Sequence, residues 1–311
     1  MSKTTPEILV VGDIILDHYL SGITNRISPE APVPIVECKE ENWVLGGAAN
    51  VANNLVSIRA KVTLVGIVGE DENGVVVKNL VKSKGINGLI CTSKNRTTTT
   101  KTRVISNNYQ LLRIDKEDKY PILKIEEFEL VKKISENIKK YDCVIISDYN
   151  KGLLTNELIK KIIEISNQNN IKVLVDPKIP PFEKYTGAYL IKPNKKEAML
   201  QTGVDIVDYS TFSIAANQIK KATSCEVVVI TLSEDGVGLF KKNTNKILPT
   251  KAKVIFDVTG AGDTFIAILA FTIAKGKSLI QSCEIANQAA GIVIGKKGCV
   301  TINYSELKSL L

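Results

Sequence analysis

Short runs of Val, Ile and Leu alternate along the chain with stretches in which apolar residues recur every three or four positions. The runs Glu7–Leu16, Val62–Val68, Asp142–Ser147, Ile171–Val175, Ala188–Ile191 and Glu226–Thr231 are bounded by turn residues and predict strands. The helical period predicts helices at about 46–58, 73–84, 124–139, 155–169, 195–202 and 211–223, then at about 261–275 and 280–295. Strands without polar alternation, separated by helices, predict an α/β fold. Its central sheet is mostly parallel and covered by helices on both faces.

Two segments break this rhythm. Asn25–Glu37 carries three prolines and cannot form a regular helix. Ile90–Asp115 is rich in Thr and β-branched residues, with TTTTKTRVIS and YQLLRID as expected strands. Together they predict a small β lid from about 18–42 and 90–115, inserted in a single domain spanning 1–311. Paired lids are expected to form a homodimer, because an isolated lid leaves strand edges and an apolar face exposed.

With 44% hydrophobic and 24% charged residues among 311, the chain can build a core without disulfide staples. Its six cysteines include no C-x-x-C pair, so they are expected to be small buried apolar residues in a reducing compartment. The first residues lack a signal-peptide layout, and no stretch approaches the roughly 20 apolar residues of a membrane span. A cytoplasmic protein without membrane contact is expected. The net charge of +8 comes mainly from Lys; with only five Arg, a nucleic-acid partner is not expected. A positive cleft for anionic small molecules fits better. The single histidine, His18, excludes an H-E-x-x-H zinc site, and no G-x-S-x-G elbow is present to serve a hydrolase triad.

The richest local chemistry lies at Asp257-Val258-Thr259-Gly260-Ala261-Gly262-Asp263. Val254–Phe256 reads as a short strand leading into it, and an apolar helix follows. Glycine lets backbone N–H groups approach an anion, and a helix N-terminus adds partial positive charge. Asp263 could then take a proton from an attacking hydroxyl. Two convenient glycines at a helix start are the plainer reading, which the flanking Asp and Thr residues weaken. Gly276-Lys277-Ser278 ends like a P-loop, but position 271 is Phe, and there is no H-R-D loop. A dinucleotide fingerprint would need Gly where Phe265 stands.

DVTGAGDTF resembles the C-terminal signature of the ribokinase-like (pfkB) sugar kinases. Gly46-Gly47-Ala48-Ala49-Asn50 followed by VTLVGIVGEDENG resembles their N-terminal signature. The likeness covers nearly the whole chain. VVGDIILDHYLSGITNRISPEAPVPIVE, KTRVISNNYQLLRID, SDYNKGLL and VDPK resemble the heptose-7-phosphate kinase branch. That branch makes heptose 1,7-bisphosphate for lipopolysaccharide core precursors and is often fused to a nucleotidyltransferase carrying H-x-G-H. One histidine cannot supply that motif, so a kinase alone is expected.

The resemblance implies a three-layer ribokinase-like fold using Mg-ATP, and allows a monovalent cation. It places Asp263 as base, with Gly260, Ala261 and Gly262 around the transferred phosphoryl group. It puts the acceptor sugar against Asp17, Gly46, Gly47 and Asn50. Asp148, within SDYNKGLL, joins the substrate set. Lys101, Arg103, Arg113 and Lys178 are the candidate cations for a sugar phosphate. Asn194 and Glu197 match an N-x-x-E element linked to magnesium and nucleotide phosphates, which is equally a helix cap. Thr231, Ser233, Gly236 and Asn287 are weaker nucleotide candidates, and Asp257 joins Glu197 as a magnesium candidate. Other acceptors (fructose 6-phosphate, fructose, ribose), a catalytically silent nucleotide- or sugar-binding regulator and a nicotinamide-dependent oxidoreductase stay open as rivals.

Overall fold

A computed structural model of the chain describes residues 5–107, 109–242, 244–250, 256–296, 298 and 300–311. Its elements run β1 (Glu7–Gly12), β2 (Ile14–Ile27), β3 (Pro34–Gly47), α1 (Ala48–Ser57), β4 (Lys61–Gly69), α2 (Glu72–Ser83), β5 (Asn87–Ser93), β6 (Thr100–Ser106), β7 (Tyr109–Lys116) and α3 (Lys124–Asn137). They continue with β8 (Cys143–Ser147), α4 (Asn156–Gln168), β9 (Lys172–Asp176), β10 (Leu190–Ile191), α5 (Lys195–Thr202), α6 (Tyr209–Thr223) and β11 (Val227–Thr231). Last come β12 (Val237–Lys241), β13 (Thr244–Leu248), α7 (Ala261–Ala274), α8 (Leu279–Ile294) and α9 (Tyr304–Lys308).

The main sheet has the order β13-β12-β11-β10-β9-β8-β1-β4-β5. From β11 to β5 every pairing is parallel; β12 and β13 add an antiparallel edge hairpin. Successive residues of β1 feed two cores. Ile8 and Val10 pack with residues of α1, α7 and α8, whereas Leu9 and Val11 pack with residues of α3, α4 and α6. This is the three-layer α/β arrangement that the alternating pattern predicts. Each fully buried aliphatic side chain contributes about 1.5–3 kcal/mol. α7 is buried at every position from Asp263 to Ile273, which explains its lack of a polar face.

Side-chain caps set the helix starts. Asp71 accepts from Gly74 N at 2.8 Å to begin α2. Asn194 and Glu197 exchange reciprocal bonds of 2.9 and 2.8 Å to begin α5, which ends on Gly203 in the left-handed region.

A second sheet has the order β3-β2-β6-β7, with β2 antiparallel to β3 and parallel to β6. Its extent differs from the expected lid. The expected strand Glu7–Leu16 breaks at Asp13: β1 lies in the main sheet and β2 already in the second. β3 likewise runs to Gly47, the residue before α1. Residues 90–93 belong to β5, at the edge of the main sheet beside β4. The sequence pattern did not separate these because strand periodicity is identical in both sheets. Residues 254 and 255 of the expected strand before Asp257 lie outside the described residues; Phe256 is a bend. Among the described residues, no helix is long and apolar enough to cross a membrane.

Candidate active site

The carboxyl ends of β8, β9, β10 and β11 and the start of α7 surround a cavity of about 820 Å³. Cavities at this edge are what an open parallel sheet offers, since the strand ends diverge there. Twelve of the expected residues line it: Asp148, Lys178, Asn194, Glu197, Thr231, Ser233, Gly236, Gly260, Ala261, Gly262, Asp263 and Asn287.

Gly260, at φ 80°, caps α7 in a conformation that side-chain-bearing residues rarely adopt. The first-turn amides of α7 have no carbonyl one turn behind them. That of Ala261 donates to Val258 O at 3.2 Å, so the expected anion site rests on the Gly262 and Asp263 end of the turn. A Cβ on Gly262 would stand 3.6 Å from Lys192 Nζ, which puts a cation against the turn. Lys192 is 2% exposed and pairs with Asp176 Oδ1 at 2.9 Å. Burial alone would pull its pKa down, yet the carboxylates of Asp176, Glu197 and Asp263 together raise it, so it is charged. The Asp176 carboxyl, raised by burial, is held in check by that ammonium.

Asp263 is 5% exposed. Asn50 Nδ2 donates to its Oδ2 at 2.7 Å, and the Tyr149 hydroxyl donates to its Oδ1 at 2.5 Å. Burial pushes the carboxyl up to about 6, against the lowering influence of these two donors and of Lys192. A carboxylate poised near neutrality suits proton transfer.

On the side that the sequence resemblance gives to the acceptor, Arg103 Nη1 donates to Asp17 Oδ1 at 2.5 Å. A Cβ on Gly46 would meet Asp17 Oδ2 at 2.2 Å, so only glycine lets that carboxylate lie on the backbone. Gly47, at φ 57°, precedes α1, which carries Asn50 to Asp263. Asp17, Gly46, Gly47, Asn50 and Arg103 are not among the residues lining the large cavity; Asn50 links their side to it. Lys101 and Arg113 sit farther out on the second sheet, paired with Asp115 at 2.9 and 2.7 Å. Lys178 Nζ lies 3.6 Å from Glu197 Oε1.

Two placements differ from expectation. Asp148 lines the cavity, but its carboxylate already accepts from Lys184 Nζ at 2.8 Å, Tyr185 OH at 2.6 Å and Asn150 N at 2.7 Å. It braces the loop after β8. Asp257 is not among the lining residues; its Oδ1 accepts from Thr259 N at 2.9 Å. Among the described residues there is no cluster of three or more His, Cys, Asp or Glu suited to a metal. Glu197, with one oxygen capping α5 and 7% exposure, offers a single outer carboxylate. That fits a magnesium ion carried on nucleotide phosphates and waters, and not a protein-held ion.

Sequence reasoning missed Asp13, Tyr149, Asp176 and Lys192. Asp176 and Lys192 stand at the ends of adjacent strands, β9 and β10, a signal readable only once the strand order is known.

A model of the pfkB family of carbohydrate kinases matches residues 5–306. Bifunctional protein HldE of Sulfurimonas denitrificans is 48% identical over 99% of this chain and 65% of its own length. Bifunctional protein HldE of Helicobacter hepaticus is 44% identical over 99% of this chain and 64% of its own. The chain thus spans slightly under two thirds of these relatives. The Arabidopsis thaliana ribokinase structure with ribose and ATP has a TM-score of 0.77 at 21% identity, covering 99% of both chains. The tetrameric inhibited form of Escherichia coli phosphofructokinase-2 gives 0.80 at 16%, covering 99% of this chain and 98% of that one. Both likenesses bear on the fold alone. The full-length family match agrees with an aspartate-bearing glycine turn, a diglycine helix start and a buried carboxyl at the head of α7: this chain belongs to the pfkB family of carbohydrate kinases.

Proposed function

We propose that the protein transfers the γ-phosphoryl group of ATP to the anomeric O1 of D-glycero-β-D-manno-heptose 7-phosphate, giving the 1,7-bisphosphate used for lipopolysaccharide core precursors. The observation that carries phosphoryl transfer is Asp263: a buried carboxylate at the α7 N-terminus, on the wall of a cavity that also presents Lys192. The heptose assignment rests on the motifs at 10–37, 101–115, 147–154 and 175–178 and on the 48% identical relative.

In this reading O1 forms its bond to phosphorus as the β–γ bridging P–O bond breaks, and ADP leaves. The O1 proton passes to Asp263. Gly262 and Asp263 amides and the Lys192 ammonium stabilise charge on the phosphoryl oxygens. Asp17 accepts from sugar hydroxyls. Arg103, on β6, is the cation nearest Asp17 and is assigned the substrate phosphate, with Lys178 at the cavity wall as the second candidate. Glu197 is the residue that would hold a magnesium ion, which would supply charge neutralisation to the nucleotide phosphates. Asn194, Thr231, Ser233, Gly236 and Asn287 form the nucleotide side of the cavity.

Purified protein should consume ATP with heptose 7-phosphate at a kcat/KM at least about tenfold above that with fructose 6-phosphate, fructose or ribose. The tenfold corresponds to roughly 1.4 kcal/mol of transition-state discrimination. Equal or better use of an unphosphorylated sugar would overturn the heptose assignment, and no turnover with any sugar would favour a silent binding protein.

The second sheet is assigned two roles: a lid that excludes water from the sugar, and a dimer surface. Leu112 and Ile114, two apart on β7 and so on one face, are 48% and 56% exposed. Sedimentation should give a dimer for the wild type and a monomer for Ile114→Lys. A monomeric wild type ends the dimer reading.

A further inference from the structure

Asp263 can act as a base only if its carboxylate is aimed, and two donors from distant parts of the chain aim it. Asn50 comes from α1; the other, Tyr149, comes from the loop after β8. That loop is itself fastened from within. Asp13 Oδ2 accepts from Tyr149 N at 2.9 Å and Lys151 N at 3.2 Å, and Asp13 Oδ1 accepts from Leu153 N at 3.3 Å. Asn150 N bonds Asp148 on the other side, and Asp148 N bonds Asp176 O at 3.0 Å. Asp13 is 3% exposed.

We infer that Tyr149 is a positioning residue for the catalytic carboxylate, held in place by the Asp13 clamp on its own backbone. This rests on the reading of Asp263 as the base. The phenol fixes Oδ1 while Asn50 fixes Oδ2, so the carboxylate cannot rotate away from the phosphoryl site. Each carboxylate oxygen has a second lone pair, which leaves an acceptor site for the sugar hydroxyl. A donor from the phenol also favours the ionised form, so the base is ready at neutral pH.

The groups acting on Asp263 come from four places: Tyr149 after β8, Asn50 on α1, Asp176 at the end of β9 and Lys192 after β10. The sign is therefore fixed. Removing the phenol donor raises the Asp263 pKa above its value of about 6. The backbone amide survives in Tyr149→Phe, so the Asp13 clamp is untouched.

Wild-type kcat/KM should fall on the acid side with a limb near pH 6, following Asp263. Tyr149→Phe should lower kcat by about 10- to 100-fold, the loss of one hydrogen bond to a charged group. It should move the acid limb to higher pH, leave ATP affinity near wild type, and lower the melting temperature at pH 8 more than at pH 4, where Asp263 is protonated in both proteins. If the variant does not fold, a fluorinated tyrosine placed at 149 alone, a stronger donor, should move the limb to lower pH. Unchanged kcat and limb would overturn the inference. So would a rise in kcat, which would make the phenol a competitor of the sugar, or a change confined to the sugar KM. Asp263→Asn run in parallel separates the two layers. If it keeps turnover, the base assignment fails; if it is inactive while Tyr149→Phe is unaltered, only the positioning role fails.

Discussion

Asp263→Asn should reduce turnover by about 10²- to 10⁴-fold, the usual contribution of a positioned general base, while calorimetry still detects ATP binding. Near-normal ADP release would remove Asp263 from the chemistry. The same variant carries a second, opposite signature. The folded-state pKa of Asp263, about 6, lies above its ordinary value of 3.8. The folded protein therefore binds the proton more tightly than the unfolded chain. Ionisation of Asp263 costs stability fully above about pH 6, and the cost vanishes below the unfolded pKa of about 4. At about 1.36 kcal/mol per unit, that cost approaches roughly 3 kcal/mol. Asn removes it, so the variant should be the more stable at pH 8, by up to that amount, and show no such gain at pH 4. Asn must place an amide where Asn50 now donates, which trims the gain. Denaturant melts at the two pH values would read the difference. A dead enzyme that is tougher than its parent is the expected mark of a carboxylate kept charged in the interior for its chemistry.

Lys192→Met should cost more than activity. It leaves the Asp176 carboxylate, which lines the cavity with its side chain 13% exposed, without the ammonium 2.9 Å away. Breaking a buried ion pair from one side costs about 3–5 kcal/mol. Loss of a cation facing the transferred group should lower kcat by a further factor of about 10² to 10³. Lys178→Met is the contrast, because Lys178 is half exposed and 3.6 Å from Glu197. Its effect on stability should stay within about 1 kcal/mol. If Lys192→Met melts like the wild type, Asp176 is not held by Lys192. If it turns over normally, the cation does not act on the phosphoryl group.

Much of this molecule was legible because its signals are local. Helix caps such as Asn194 with Glu197, the glycine turn before α7 and the diglycine before α1 each declare themselves within a few residues. The alternation of strand and helix carried the layers. The partners of Asp263 were not legible in the same way. Asn50 and Tyr149 are 213 and 114 residues from it in sequence. Nothing at either position advertises the other; only the strand order brings them together. The hairpin β12–β13 escaped for a different reason. Its strands are short, and Lys241 and Lys246 interrupt their pattern, as befits a sheet edge facing water. The border between the two sheets was hidden because β1 and the start of β2 form one apolar stretch, Ile8–Leu16, interrupted only by Gly12 and Asp13.

That division has a mechanical meaning. Gly12 ends the main sheet and Ile14 begins the second, so Asp13 joins the two sheets on this strand and is its fulcrum in the proposed reading of the second sheet as a lid. The same side chain clasps the loop that carries Tyr149. In that reading any swing of the lid on this strand turns about the residue that clamps the Tyr149 loop, so sugar capture and the alignment of the proposed base share a pivot.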